Sequence, residues 1–328
     1  MTLLRAGPGA PPPAATRRAP LSRSVALVAG WGVSRADALM LLTMLIWGAN
    51  IVSVKIVVRT VAPLGFGFLR YLIAGCALLA LLRWREGSAT IRRGDLPWLA
   101  GAGAVGIGLN QVCFLLGIHL VSVSLASIIL ATAPLLTACM AALWVREPLS
   151  PRALSALAVS FGGVVITLGG GGTSLSASWR GGLLILGAAV TMGMGAILAK
   201  RPLRAYTSLR ATTWMALAGG LTLLPTGLPA LLSTPRGAFT APIVAAMAFT
   251  VLGATLAGQL AWNYAIQRIG ATRTIAYTYL QPVVGIAIAA LLLGERLQPA
   301  QYLGGAVVIL GLVLYRGGAR RAAPLPSE

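Results

Sequence analysis

Ten times along this chain a stretch close to 20 residues long passes with at most one charged side chain. A helix needs roughly 20 mostly apolar residues to cross about 30 Å of hydrocarbon, so each stretch is a candidate membrane span. The stretches run over 38–58, 62–82, 97–118, 122–145, 153–170, 181–200, 209–227, 242–266, 272–293 and 299–315. Composition agrees: 57% of residues are hydrophobic and only 10% charged, against roughly 25% charged in soluble domains.

The ten spans are written as five, twice. Pro134 and Glu147 recur as Pro282 and Glu295 at an offset of 148 residues. The same offset lays Gln111 on Gln259, Ile118 on Ile266, Leu149 on Leu297, Pro151 on Pro299, Val159 on Val307 and Gly163 on Gly311. Five spans per repeat is an odd number, so the second repeat must enter the membrane from the opposite side. Loop charges test that inversion, because short cytoplasmic loops collect Lys and Arg. With the N-terminus inside, 20 of the 26 Lys and Arg fall in inner segments and four in outer loops; Lys55 and Arg70 remain within spans. The expected fold is an all-α integral membrane protein of ten transmembrane helices in two inverted five-helix repeats, with both termini cytoplasmic. Expected segments are a basic disordered tail at 1–36, a first repeat at 37–170, a Gly-rich linker at 171–180, a second repeat at 181–316 and a tail at 317–328.

Several function classes drop out. The net charge of +20 lies in short loops between spans rather than on a face that phosphates could reach, so no nucleic-acid partner is expected; membrane lipid is. Val25–Val33 is too short, and too far into the chain, to read as a signal core. Cys76, Cys113 and Cys139 fall inside spans without metal spacing, and no cofactor or metal is expected. The six acids, Asp37, Glu86, Asp95, Glu147, Glu295 and Glu328, sit at span ends or in loops, so no pair is placed for acid/base catalysis and no enzyme is expected.

Further motifs carry a resemblance. WGAN at Trp47–Asn50 precedes Lys55 in the first span, and Pro63 precedes Arg70 in the second. In each half a small-residue span, a proline, an REPL or GERL turn and a Gly-rich span follow in order. The chain resembles EamA-type members of the drug/metabolite transporter superfamily over residues 36 to 316. The resemblance implies a secondary transporter, commonly an exporter of amino acids or other small metabolites. A passive channel or a non-transporting scaffold are the alternatives, and a monomer or a homodimer each suffices.

Polar side chains at membrane depth are costly and by default face a cavity or one another. The candidate substrate-binding residues are Asn50, Arg70, Gln111, Gln259, Asn263 and Tyr277, with Ser124, Ser127, Tyr279 and Gln281 as further lining. Arg70 suits a substrate carboxylate or, alternatively, helix carbonyls. Gln111 and Gln259 suit a zwitterionic or neutral polar cargo, or bond helix to helix. Pro134 and Pro282 are expected to kink their helices as hinges, and Trp47 to form a wall or gate. Lys55 either snorkels to the outer headgroups or faces inward. Glu147 and Glu295 are expected near the positive N-terminal end of the helix that follows each. No acid stands at mid-membrane to carry protons, so proton-coupled and facilitated cycles both remain open.

Overall fold

The computed structural model describes residues 35–145, 151–169, 175–269, 274 and 277–319. Among these, every regular element is helical. Residues 1–34 and 320–328 of the expected tails lie outside the described residues, as do Arg146 and Glu147. The helices are α1 (Arg35–Val57), α2 (Pro63–Glu86), α3 (Arg93–Leu120), α4 (Val123–Leu130), α5 (Ala133–Val145), α6 (Pro151–Gly169), α7 (Leu175–Ala205), α8 (Ser208–Leu232), α9 (Ala241–Ile269), α10 (Leu280–Leu293) and α11 (Pro299–Ala319). Six are long and apolar enough to cross a membrane: α1, α2, α3, α7 from Trp179, α8 and α9. Shorter apolar helices occupy Val123–Thr137, Ala158–Thr167, Leu280–Leu293 and Pro299–Gly311.

Two helix ends and both proline sites differ from the sequence expectation. Helix α7 already begins at Leu175, within the expected linker, and α11 continues to Ala319. The prolines do not kink continuous helices. The span holding Pro134 is broken at Ala131–Thr132, and Pro134 stands in the first turn of α5; Pro282 likewise stands in the first turn of α10, after a 3-10 turn at Tyr277–Tyr279. A first turn tolerates proline because its N–H groups have no helical acceptor in any case.

Helices α3 and α9 each contain a wide π segment, at Ala104–Leu109 and Phe249–Ala257. Shifted by 148 residues, the first falls within the second. Neither is visible in residue pattern, since a π turn is a local insertion rather than a propensity.

Small residues set the closest approaches. A Cβ on Gly106 of α3 would stand 2.6 Å from Cα of Gly195 in α7. Helices α6 and α11 pack through a reciprocal set: a Cβ on Gly163 would lie 2.6 Å from the Gly304 carbonyl, and one on Gly311 would lie 2.7 Å from the Ala156 carbonyl. Between these contacts Ser160 Oγ donates to the Val308 carbonyl at 3.4 Å. The 148-residue offset carries Gly163 to Gly311, Ala156 to Gly304 and Ser160 to Val308, so each contact is the image of the other. Where one index rises the other falls, which makes the pair antiparallel.

At the end of the bundle where α1 stops, α2 starts and α3 turns into α4, the packing is dry. Val57, Val58, Val61, Ile118, Val121, Val123 and Leu125 are all buried in one continuous core.

Candidate functional site

A cavity of about 160 Å³ lies in the interior. It extends from Asn50 and Ile51 of α1, Leu130 of α4 and Gln281 of α10 to Ala199 of α7, Thr212 of α8 and Ile266 of α9. The last three lie close to their helix ends at the basic end of the bundle, opposite the dry core. Drug-sized ligands occupy cavities upward of about 300 Å³, so this one fits a small metabolite.

Among the described residues Arg70 is its only charged lining residue, and no acid lines it. Arg70 is 5% exposed. Its Nε donates to Thr255 Oγ1, and Nη1 donates to Gln111 Oε1 at 3.3 Å. Thr255 lies in the π segment of α9, where its hydroxyl donates to the Thr250 carbonyl five residues back at 3.0 Å. That bond leaves the Thr255 oxygen free to accept from Arg70. Gln111 Nε2 in turn donates to Asn110 Oδ1 at 3.2 Å, and Asn110 Nδ2 to the Ala188 carbonyl at 2.7 Å. A polar chain thus ties α9, α2, α3 and α7 around one cation. It fixes the guanidinium while leaving most of its five N–H donors unused.

The cavity wall is otherwise amides and aromatics. Asn50, Gln259, Asn263 and Gln281 all line it. Asn263 Nδ2 donates to Thr212 Oγ1 at 2.5 Å. The Trp47 and Trp262 rings pack at 5.3 Å and 34°, and Trp47 Nε1 donates to the Ala254 carbonyl at 2.9 Å. Gly258 receives the indole edge, where a Cβ would clash at 2.3 Å.

Of the residues singled out from sequence, Trp47, Asn50, Arg70, Gln111, Gln259, Asn263 and Gln281 come together in this cavity. Tyr277 stands apart: its hydroxyl donates to Asp37 Oδ1 at 2.6 Å, and its ring packs with Met40, Met44 and Trp262. Pro134 is not on the wall. Pro282 lines a second space of only about 10 Å³, shared with Ser127 and Gln281. Asn110 and Thr255 were missed; each lies within one turn of a glutamine that was noted, and that adjacency was the available signal.

The dry end carries its own polar ties. Lys55 Nζ donates to the carbonyls of Ile118 and Val121, each at 2.7 Å, and of His119 at 3.3 Å, closing the C-terminus of α3. The Glu295 carboxylate accepts from the backbone N–H of Val123 at 3.0 Å, from that of Ser124 at 3.1 Å and from Ser124 Oγ at 2.9 Å. A carboxylate is favoured at a helix N-terminus, but the helix here is α4, not the following α11 that the sequence suggested. Gly294, with φ of 64°, ends α10 and turns Glu295 back toward α4.

The sequence profile of the EamA-like transporter family matches this chain twice, over residues 34–169 and 179–317. The chain belongs to that family. It is a membrane transporter, not an enzyme. A probable terminal-alkyne amino-acid exporter of Streptantibioticus cattleyicolor is 30% identical over 90% of this chain and 99% of its own length. A probable amino-acid metabolite efflux pump of Escherichia coli (strain K12) is 28% identical, covering 88% of this chain and 97% of the pump. A solved crystal structure superposes with a TM-score of 0.62 at 19% identity, over 87% of this chain and 98% of the other, a likeness of fold alone.

Proposed function

We propose that this transporter is a secondary carrier that exports small organic metabolites of the amino-acid type by alternating access between two inverted five-helix repeats, at 37–170 and 181–316, joined near 171–180. The carrying observation is Arg70, a buried cation in a small cavity that has no acidic partner among the described residues. An uncompensated charge at membrane depth is costly and marks a ligand path. Its planar fork suits the carboxylate of a cargo. Gln111, held against it, adds an amide donor once the cargo displaces their mutual bond.

Inversion is supported by the reciprocal antiparallel contacts of α6 and α11, which obey the 148-residue offset, and by the two family matches. A carrier of this architecture binds cargo near the midplane, between repeats, and rocks one bundle against the other. With the basic end in the cytoplasm of an inner or plasma membrane, as the loop charges favour, both termini lie inside and the cavity faces inward. Pro134 and Pro282, each at the start of a half-helix, serve as hinges. A channel fits less well, because the path ends against the dry core around Val57 and Ile118.

Proteoliposome counterflow with labelled amino acids, amines and sugars tests the proposal. Saturable counterflow, abolished by Arg70→Ala in protein that elutes as wild type does, is the expected result. Flux that neither saturates nor exchanges would place the protein among channels, and flux indifferent to Arg70 would move the site elsewhere.

A further inference from the structure

Three amides on the cavity wall, those of Asn50, Gln259 and Gln281, have no hydrogen-bond partner among the described residues, whereas Asn110, Gln111 and Asn263 are all engaged. Asn50 is 7% exposed, and its Oδ1 is fully buried and unpaired. A buried amide left unsatisfied costs about 1–3 kcal/mol and calls for a reason. The three line one cavity, on three helices that meet at the Trp47 turn of α1. Asn50 is one helical turn beyond Trp47; Gln259 follows Gly258, which seats the Trp47 indole; and the backbone carbonyl of Gln281 faces Gly48, where a Cβ would be 3.1 Å from it. Gln259 also lies four residues beyond Thr255, the residue that holds Arg70, which is about 6 Å along the helix axis.

We propose that these amides form an ammonium subsite beside Arg70, so that the carrier reads its cargo as a zwitterion and prefers α-amino acids with uncharged side chains to the same acids lacking the amine. This rests on the carrier reading above. The amine and carboxylate of an α-amino acid sit on one carbon, so an anion site and a cation site one turn apart, each at hydrogen-bond length from its group, take both ends together. Free amide carbonyls accept from an ammonium without placing a carboxylate next to Arg70, which would neutralise the anion site. The remaining wall, with Tyr71, Met192, Met215 and Ile266, offers a side chain no charge to pair with, so lysine or glutamate would bury theirs unpaired.

The test is competition in proteoliposomes loaded with L-leucine, using 4-methylpentanoate as the same skeleton without the amine. L-lysine and L-glutamate serve as charged competitors. In wild type, leucine is expected to outcompete 4-methylpentanoate by at least about tenfold, the size of one hydrogen bond to a charged group, with neither charged amino acid competing. Asn50→Leu, Gln259→Met and Gln281→Met are each expected to weaken leucine severalfold and leave 4-methylpentanoate unchanged. Should these replacements unfold the chain, the conservative Gln259→Asn and Gln281→Asn are expected to weaken leucine relative to 4-methylpentanoate; an unchanged ratio overturns the subsite. Equal competition by leucine and 4-methylpentanoate in wild type, or equal loss of both in the variants, also overturns it while leaving the carrier intact. Absence of counterflow by any uncharged amino acid overturns it too, and absence of counterflow by every solute tested removes the carrier reading with it.

Discussion

The two ends of the bundle differ in what fills them. At one end Val57, Val61, Ile118, Val121 and Val123 close without a gap, and two charges are spent on backbone: Lys55 on the carbonyls ending α3, Glu295 on the N–H groups starting α4. At the other end the helix walls part around a cavity, and the polar ties lie outside it. There Arg210 pairs with Glu86 at 2.8 Å, Thr207 Oγ1 donates to Glu86 at 2.5 Å, Tyr206 donates to Asp95 at 2.8 Å, and Gln267 donates to the Leu203 carbonyl at 2.9 Å. Closure at one end therefore rests on apolar fit locked by two capped termini, while the other is held by a brace across the loops that leaves the path clear. In a carrier the lock must release when the ends exchange roles, and population shifts only as far as cargo binds one state better than the other.

The largest expected effect is at the point both ends share. Arg70→Ala removes the only cation of the cavity, and losing a buried partner of a charged ligand group costs about 2–5 kcal/mol. Counterflow of a carboxylate-bearing cargo is expected to fall by a factor on the order of 10² to 10³. Arg70→Lys keeps the charge but not the fork, and is expected to recover only a small part. Full recovery would mean that charge alone, not bidentate geometry, holds the cargo.

The reciprocal contacts of α6 and α11 supply the next test. A methyl group at Gly163 or at Gly311 meets a carbonyl at 2.6 or 2.7 Å, so each alanine variant should destabilise by about 1–3 kcal/mol, read as a lower Tm in detergent. Because the contacts are images of one another, the two losses should match within about 0.5 kcal/mol. A clear inequality would break the equivalence of the two ends. Gly162, with open space where a Cβ would stand, is the control and should tolerate alanine.

How much of this was legible beforehand follows from what periodicity and charge encode. The duplication, the six membrane-crossing helices and seven of the cavity residues came from repeated spacing, apolar run length and polar residues set at unusual depth, signals carried by residue identity. What escaped depends on neighbours far away in sequence. Thr255 matters because a π turn frees its oxygen toward Arg70, and no local pattern marks that turn. Tyr277 had the same apparent depth as the other candidates, yet a partner 240 residues distant turns it toward Asp37. Glu295 was correctly seen as a helix-start acid but was joined to the nearest helix in sequence; the chain reversal at Gly294 gives it to α4 instead.

The smallest predicted effect bears most directly on the difference between the ends. Glu295→Gln keeps the size and one acceptor but removes the charge from the N-terminus of α4, an interaction worth about 0.5–2 kcal/mol. Lys55→Met leaves the Ile118 and Val121 carbonyls without their ammonium at a comparable cost. Both loosen the dry end and leave the cavity wall intact, so cargo affinity measured from the basic end should change little. The exposure of the dry end should rise instead. A cysteine placed at Val61, 1% exposed, is expected to react about 3- to 10-fold faster with a membrane-impermeant thiol reagent in either variant, as 1 kcal/mol of bias would give. Combining the two changes separates independent caps from a single lock. Independent caps give additive effects, whereas one two-ended clamp on the α3–α4 turn gives less than the sum, because releasing either end already frees the turn. Unchanged reactivity in both variants would assign closure to the apolar packing alone.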